Sequence, residues 1–504
     1  MSCSSQPRIV CVSTRALIPL ALTLAAFLLA SACVVGPDYK RPSATLPVAY
    51  KEDANWHPAQ PSDSSLRGKW WQIFGDDSLS ALEEQVNVSN QTLKAAEDQF
   101  LQARALIRLS RAGYFPALTV SPGLSRARES GNEPFAGPST QGVTQNNFTI
   151  PFDATYEPDV WGRVRRTVEN ARAGAQASAA DLETVRLSLH AELALDYFQA
   201  HSLDAEIQLL NSTVTAYQRA LELTESRYLG GVASQVDVAQ AKTQLETTRA
   251  QAIDLLVLRT QLEHAIAVLI GKPASEFTLP VLPLTAPPPP VPHGLPSELL
   301  ERRPDIAGAE RRMAAANANI GVARSAYFPA LGLNVGGGFD SDVFSKLLEG
   351  PSSFWSVGLA AMETLFEGGQ RRAATEQARA AYDETVAGYR QTVLTAIQEV
   401  EDNLAALRVL EQEAGTQRVA VEAAEHSLAL SNTRYRGGVT SYLEVTTAQS
   451  LALIDERVAV QIQGRRMTAC VLLIKALGGG WDAASLNTVV SKSVPGPPRA
   501  PGAP

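Results

Sequence analysis

The sequence predicts a mixed α+β protein built on an internal two-fold repeat. Three observations carry that reading. Tyr114-Phe115-Pro116-Ala117-Leu118 returns as Tyr327-Phe328-Pro329-Ala330-Leu331. Arg227-Tyr228-Leu229-Gly230-Gly231-Val232-Ala233-Ser234 returns as Arg434-Tyr435-Arg436-Gly437-Gly438-Val439-Thr440-Ser441, and between these markers Arg165-Arg166 matches Arg371-Arg372. Three landmarks in one order indicate duplication of a whole structural unit. A long proline-free stretch follows each Arg-Arg pair, and shorter stretches of alternating apolar and polar residues precede it.

The amino end is read first as an address. Arg8 and Arg15 precede an apolar run at residues 16–30, and small residues follow before Cys33. That is the layout of a secretory signal, and about fifteen apolar residues fall short of the roughly 20 that span a membrane as a helix. Ala30-Ser31-Ala32-Cys33 resembles a bacterial lipobox, with Ala30 where Leu is commoner. Cleavage there would leave Cys33 as the acylated first residue, each buried methylene contributing about 0.8 kcal/mol of membrane affinity. Cys3 and Cys11 leave with residues 1–32, so Cys470 has no free partner and reads as a small buried hydrophobe. The two arginines lost take the formal charge from −8 to −10, which excludes nucleic acid as a partner class.

The stretches after the Arg-Arg pairs read as helix. Val386, Tyr389, Val393, Ile397, Val400, Leu404, Leu407 and Leu410 fall three and four apart, one stripe on a helix. Each rod of about 63 residues would run roughly 95 Å. Each ends at Gly-Gly, the residue type for a left-handed helix terminus, and a return helix follows at about 235–270 and 442–477.

The stretches before the pairs read as strands. Phe148, Ile150, Phe152, Ala154 and Tyr156 alternate with Thr149, Pro151, Asp153 and Thr155. Leu331, Leu333 and Val335 alternate with small or polar residues, as do Trp355, Val357 and Leu359. Glycine- and serine-rich loops are expected at 130–145 and 336–353, so each repeat supplies one β-hairpin and the chain four strands. Outer-membrane barrels start at about eight strands, and open edges cannot lie in lipid. Either a soluble hairpin pack forms, or two or three subunits share one barrel.

At this point the residues resemble a known family. Cys33-Val34-Val35-Gly36-Pro37-Asp38-Tyr39 with Pro42, Trp70-Trp71 with Phe74 and Leu79, Arg302-Arg303-Pro304-Asp305-Ile306 and Ala476-Leu477-Gly478-Gly479-Gly480-Trp481 are similar to the TolC-like outer-membrane factors of tripartite efflux pumps. The resemblance covers about 33–485 and includes both duplicated motifs. It implies a homotrimer in the outer membrane of a Gram-negative bacterium, with a twelve-stranded barrel, four strands per chain, continuous with a long α-helical periplasmic barrel. It implies as partners outer-membrane lipid, a periplasmic adaptor and an inner-membrane proton-driven pump.

The resemblance also divides the chain. Residues 1–32 are the signal, 33–90 the anchored segment and equatorial region, and 91–279 the first repeat. A proline-rich equatorial segment at 280–303 joins it to the second repeat at 304–478, and 479–504 is a partly disordered tail. Short equatorial helices are expected before Gln91 and around 294–300.

Function would sit at the helix tips. By resemblance, Leu443 is the hydrophobic periplasmic gate and Glu444 its acidic ring. Thr447 stands where some relatives carry a second acid, and Thr440 where some carry a base. Tyr435 would donate to Asp237 as the gate lock. The turns Gly230-Gly231-Val232 and Gly437-Gly438-Val439 would meet the adaptor.

Catalytic chemistry is not expected. The six histidines form no metal-spaced cluster, and neither a nucleophile elbow nor a phosphate-cradling loop occurs. No cofactor is expected beyond the covalent lipid on Cys33. The rival reading is a lipid-anchored coiled-coil scaffold or adaptor without a pore, which has no use for the strand pairs. The anchor can be tested directly: Cys33→Ser should abolish palmitate incorporation, and labelling that persists would place the lipid elsewhere.

Overall fold

The computed structural model describes residues 34–43, 47, 49–53, 68–128, 130, 144–291 and 299–483. Cys33, the signal and the tail beyond 483 lie outside the described residues. In chain order the main elements are α1 (Asp77–Ser89), α2 (Gln91–Ala112), β1 (Ala117–Val120), β2 (Gly123–Arg128) and β3 (Thr144–Tyr156). Then come α3 (Arg163–Leu229), α4 (Gln235–Leu269), α5 (Leu299–Arg302), α6 (Pro304–Ser325), β4 (Ala330–Ser341), β5 (Ser353–Met362), α7 (Gln370–Arg436) and α8 (Tyr442–Ala476). Helices α3 and α7 have 67 residues each, about 100 Å of helix. Helix α1 and the 3₁₀ turn Trp70–Phe74 lie before Gln91, as expected for the equatorial pieces, while 292–298 fall outside the described residues.

Two compact units divide the chain, and neither coincides with a repeat. The first gathers residues up to 41, 103–175 and 311–386; the second gathers 42–102, 176–310 and 387 onward. Each repeat gives its strands to the first unit and its helix tips to the second.

In the first unit all neighbouring strands are antiparallel, in four lanes. Segments β1 and β2 both pair with β3 and make one lane, interrupted at Ser121-Pro122; β4 and β5 follow. Directly opposed residues share a face. Ala154, Val335 and Val357 therefore lie together, as do Tyr156, Leu333 and Leu359, while Thr155, Asn334 and Gly358 line the other face. The apolar face is uncovered: Leu118, Phe152, Trp355, Val357 and Leu359 are all exposed.

One expectation fails here. The stretch 336–353 is not a loop throughout, because Gly336, Gly337 and Gly338 continue β4 opposite Asp153, Phe152 and Pro151. A Cβ on Gly338 would lie 2.2 Å from the Ile150 carbonyl oxygen and 2.9 Å from Pro151 Cα. Glycine is needed there for close approach of two strands, not for a turn. The last two residues of the stretch 130–145 are likewise strand, since β3 begins at Thr144.

The same unit fastens the chain's amino end. Arg166, almost wholly buried, donates from Nε to the Val35 carbonyl and from Nη2 to the Gly36 carbonyl and Asp38. Asn317 donates to the Pro37 carbonyl at 2.9 Å. A Cβ on Gly36 would stand 2.5 Å from Gly321 Cα, so the strap passes backbone to backbone. Arg372, its counterpart in the second repeat, is exposed and among the described residues pairs with Glu376 of its own helix.

The second unit holds a helical core. Along α7, Tyr389, Val393, Val400, Leu404, Leu407 and Leu410 are buried as the stripe predicts, with Val386 and Ile397 half-buried. The Arg302–Ile306 and Ala476–Trp481 motifs turn out to be one joint. Arg303 Nη1 donates to the Ala476 carbonyl at 3.0 Å and to Glu399 at 2.6 Å, while its other nitrogens hold Asp305. Gly478 sits where a Cβ would strike the Arg302 carbonyl oxygen at 2.1 Å. The proline-rich segment is strapped down by buried Asp204, which accepts from the Leu282 amide and Arg259. Cys470 is fully buried, and burial pushes its thiol up to about 12.

Beside Trp71, buried Glu83 meets buried His190: Oε2 lies 2.6 Å from Nδ1, and Nε2 lies 3.2 Å from Asn87 Oδ1. Burial raises Glu83 to about 9, with Glu84 adding to it, and lowers His190 to about 4. A neutral carboxylic acid donating to Nδ1, with Nε2–H donating to Asn87, satisfies this geometry without a buried charge.

Two outcomes follow from these contacts. Gly338→Ala should disrupt the β3–β4 pairing and lower the melting temperature of the purified protein, whereas Gly332→Ala, with open space at its Cβ, should leave it nearly unchanged. Because the folded Glu83 value lies above 4.5, its stabilisation is present below that pH and lost as pH rises toward 9. Glu83→Gln keeps a donor to His190 and should flatten the alkaline decline in melting temperature; an unaltered slope would assign that decline to other groups.

Candidate functional site

The two helix tips share one backbone design. Arg227 ends the last turn of α3, and its carbonyl accepts from the amides of Val232 at 2.8 Å and Ala233 at 3.2 Å. In the second repeat the Val439 amide donates to the Arg434 carbonyl at 3.0 Å. Gly231 and Gly438 adopt φ of 71° and 72°, the left-handed conformation that closes a helix. Val232 and Val439 project into solvent beyond them. All six expected tip residues therefore lie at two matched, exposed turns.

The side chains break this symmetry. Asp237 and Glu444 occupy matching third positions of the return helices α4 and α8. Asp237 closes a capping box: its Oδ2 accepts from the Ser234 amide at 2.8 Å and from Ser234 Oγ at 2.9 Å. Glu444 forms no such box. It accepts instead from Arg434 Nη1 at 2.7 Å and from Thr440 Oγ1, both on its own hairpin. Leu443 stands exposed beside it, with Thr447 Oγ1 folded back on the Leu443 carbonyl.

The two tyrosines differ as sharply. Tyr228 is 45% exposed, whereas Tyr435 is 6% exposed, packed with Tyr217, Leu221, Leu245, Tyr442 and Val445. Tyr442 meets Tyr435 edge-on at 5.2 Å, and burial pushes the Tyr442 hydroxyl up to about 12. The Tyr435 hydroxyl is buried without a hydrogen-bond partner among the described residues. The expected Tyr435–Asp237 hydrogen bond is thus not made within the chain. The capping box holds the carboxylate, and the phenol points into an apolar cluster.

A different residue reaches Tyr435. The Arg227 guanidinium carbon lies 4.7 Å from its ring centroid, and Arg227 Nη1 donates to the Arg436 carbonyl at 3.3 Å. Sequence reasoning took Arg227 only as a marker of the repeat. Its place one residue before a tip tyrosine was the available signal. Farther along the same helices, Gln244 donates to Ser450 at 3.1 Å and Tyr217 to the Gln449 carbonyl at 3.2 Å, joining the two hairpins again.

Comparison with known proteins agrees with this architecture. The family model described as "Outer membrane efflux protein" matches residues 82–272 and 295–479. The probable efflux pump outer membrane protein TtgC of Pseudomonas putida is 33% identical over 470 residues, covering 93% of this chain and 96% of its own. The pyoverdine export outer membrane protein OpmQ of Pseudomonas aeruginosa is 31% identical over 464 residues, covering 90% and 96%. Among solved structures, the outer-membrane channel OprN superposes with a TM-score of 0.83 at 30% identity, over 89% of this chain and 100% of its own. The Campylobacter jejuni CmeC channel, at 23% identity and a TM-score of 0.82 over 91% and 98%, shares the fold. With the paired strands and long helical hairpins, these matches make the protein an outer-membrane channel component of a Gram-negative efflux system: the chain belongs to the outer membrane efflux protein family.

Proposed function

We propose that three copies of this chain close one twelve-stranded barrel and act as the passive outer duct of a tripartite efflux pump. The observation that carries the reading is the four-lane sheet. The β1/β2 lane pairs only with β3, and β5 only with β4, so both outer edges lack a strand partner among the described residues. Its apolar face is bare, and β3, β4 and β5 have 13, 12 and 10 residues, against the roughly 9–11 that cross a bilayer at a tilt. Pairing β5 of one copy with the β1/β2 lane of the next removes every edge. A lipid-anchored scaffold without a pore would leave that face and those edges unused.

In this reading Cys33 carries the lipid, and the strap at Val34–Asp38 holds the anchored end to the first unit through Arg166. Small molecules enter from a periplasmic adaptor and an inner-membrane proton-driven pump, with the Gly230–Val232 and Gly437–Val439 turns as the adaptor contacts. Leu443 is the apolar constriction. Three exposed leucines meeting on an axis would exclude water, as would any dry apolar cluster. Glu444, ion-paired with Arg434 and hydrogen-bonded by Thr440, shapes the constriction more than it attracts cations. The protein performs no catalysis and needs no cofactor for this role.

Purified protein in detergent should have the mass of three chains and conduct ions in planar bilayers. A conducting monomer or dimer would refute the shared barrel, and a trimer that never conducts would refute the duct.

A further inference from the structure

We propose that Arg227 is the latch between the two helix tips of one chain, acting on the ring of Tyr435 and on the Arg436 carbonyl and not through the Tyr435 hydroxyl. The inference rests on the reading of the tips as the closable end of the duct.

Four observations carry it. The Arg227 guanidinium reaches from the first hairpin to the second, 4.7 Å from the Tyr435 ring centroid, a distance at which a cation is attracted to the aromatic face. Its Nη1 donates to the carbonyl of Arg436, the last residue of α7, at 3.3 Å. That carbonyl is one of those a helix leaves unpaired at its end, where the backbone dipole also favours a cation. The Tyr435 hydroxyl has no hydrogen-bond partner among the described residues, so there the residue contributes its ring and its apolar packing. Asp237, the acid expected to accept from that phenol, is already closed onto Ser234.

The repeat supplies an internal control. Arg434 is the counterpart of Arg227, yet it stays on its own hairpin and pairs with Glu444 at 2.7 Å. Tyr228, the counterpart of Tyr435, is left 45% exposed. Helix capping alone would treat both arginines alike. Of the two arginines only Arg227 crosses, from the first hairpin to the second. Arg227 is a positioning residue: it holds the hairpin that carries Leu443, without touching the conducted molecule.

The test uses the full-length trimer in planar bilayers, with a heat-resistant trimer band and far-ultraviolet circular dichroism confirming assembly. Arg227→Gln should raise single-channel conductance, shifting the closed-to-open ratio roughly tenfold for each latch. Arg227→Lys, which keeps a cation but loses the fork, should fall between. Tyr435→Leu should open the channel like Arg227→Gln, and the pair combined should add little to either. Tyr435→Phe, which removes only the hydroxyl, should shift conductance far less than Tyr435→Leu. Should Arg227→Gln fail to assemble, Arg227→Met, apolar and of similar reach, is read in its place against Arg227→Lys. A conducting wild type with Arg227→Gln or Arg227→Met unchanged would overturn the latch alone. Equal opening by Tyr435→Phe and Tyr435→Leu would overturn it too, returning the lock to the hydroxyl. A wild type that forms no pore would instead overturn the duct reading, and the latch with it.

Discussion

A strand edge cannot be left open in lipid, and most of this molecule follows from that constraint. Each unpaired amide or carbonyl in hydrocarbon costs several kcal/mol, so a sheet in a membrane must close on itself. One chain offers four lanes with two free edges, too few to close. Assembly is therefore part of folding, not an addition to it. The uncovered face of Leu118, Trp355, Val357 and Leu359 is stable only where lipid replaces water. The duplicated plan serves the same end, because each repeat brings one hairpin to the sheet and carries one helix of 67 residues.

Duplication copied a backbone, and the two copies then diverged in their side-chain partners. The matched glycines Gly231 and Gly438 have φ within a degree of each other. Around them, Asp237 caps while Glu444 pairs with Arg434; Tyr435 is buried while Tyr228 is exposed. Arg166 binds the amino-terminal strap while Arg372 faces its own helix. The backbone turns repeat because they depend on glycine at matched places, while the side chains around them meet different neighbours and take different partners.

The helical unit relies on buried polar groups as ties between segments distant in sequence. Arg303 joins the start of the second repeat to the end of α8, and Asp204 holds the proline-rich segment that cannot form its own ladder. Glu83 and His190 meet as a neutral pair, so the tie carries no buried charge. Such contacts contribute modest net stability but strongly penalise any register in which the partners miss each other.

What the sequence by itself determined was whatever depends on neighbours a few residues away. Return helices expected at about 235–270 and 442–477 run Gln235–Leu269 and Tyr442–Ala476, because caps, Gly-Gly turns and helical periodicity are local properties. The buried stripe of α7 and the alternation in β3 were legible for the same reason. Tertiary structure alone decided the fate of Gly336–Gly338, since loop and close-packed strand both call for glycine and only the opposing Pro151 distinguishes them. It alone decided that Arg227 crosses to Tyr435, whereas the turn of Asp237 to Ser234, three residues away, is a local cap carried by the Ser-x-x-Asp spacing. A polar side chain takes the best partner among all groups within reach, and that set exists only once the two hairpins lie side by side.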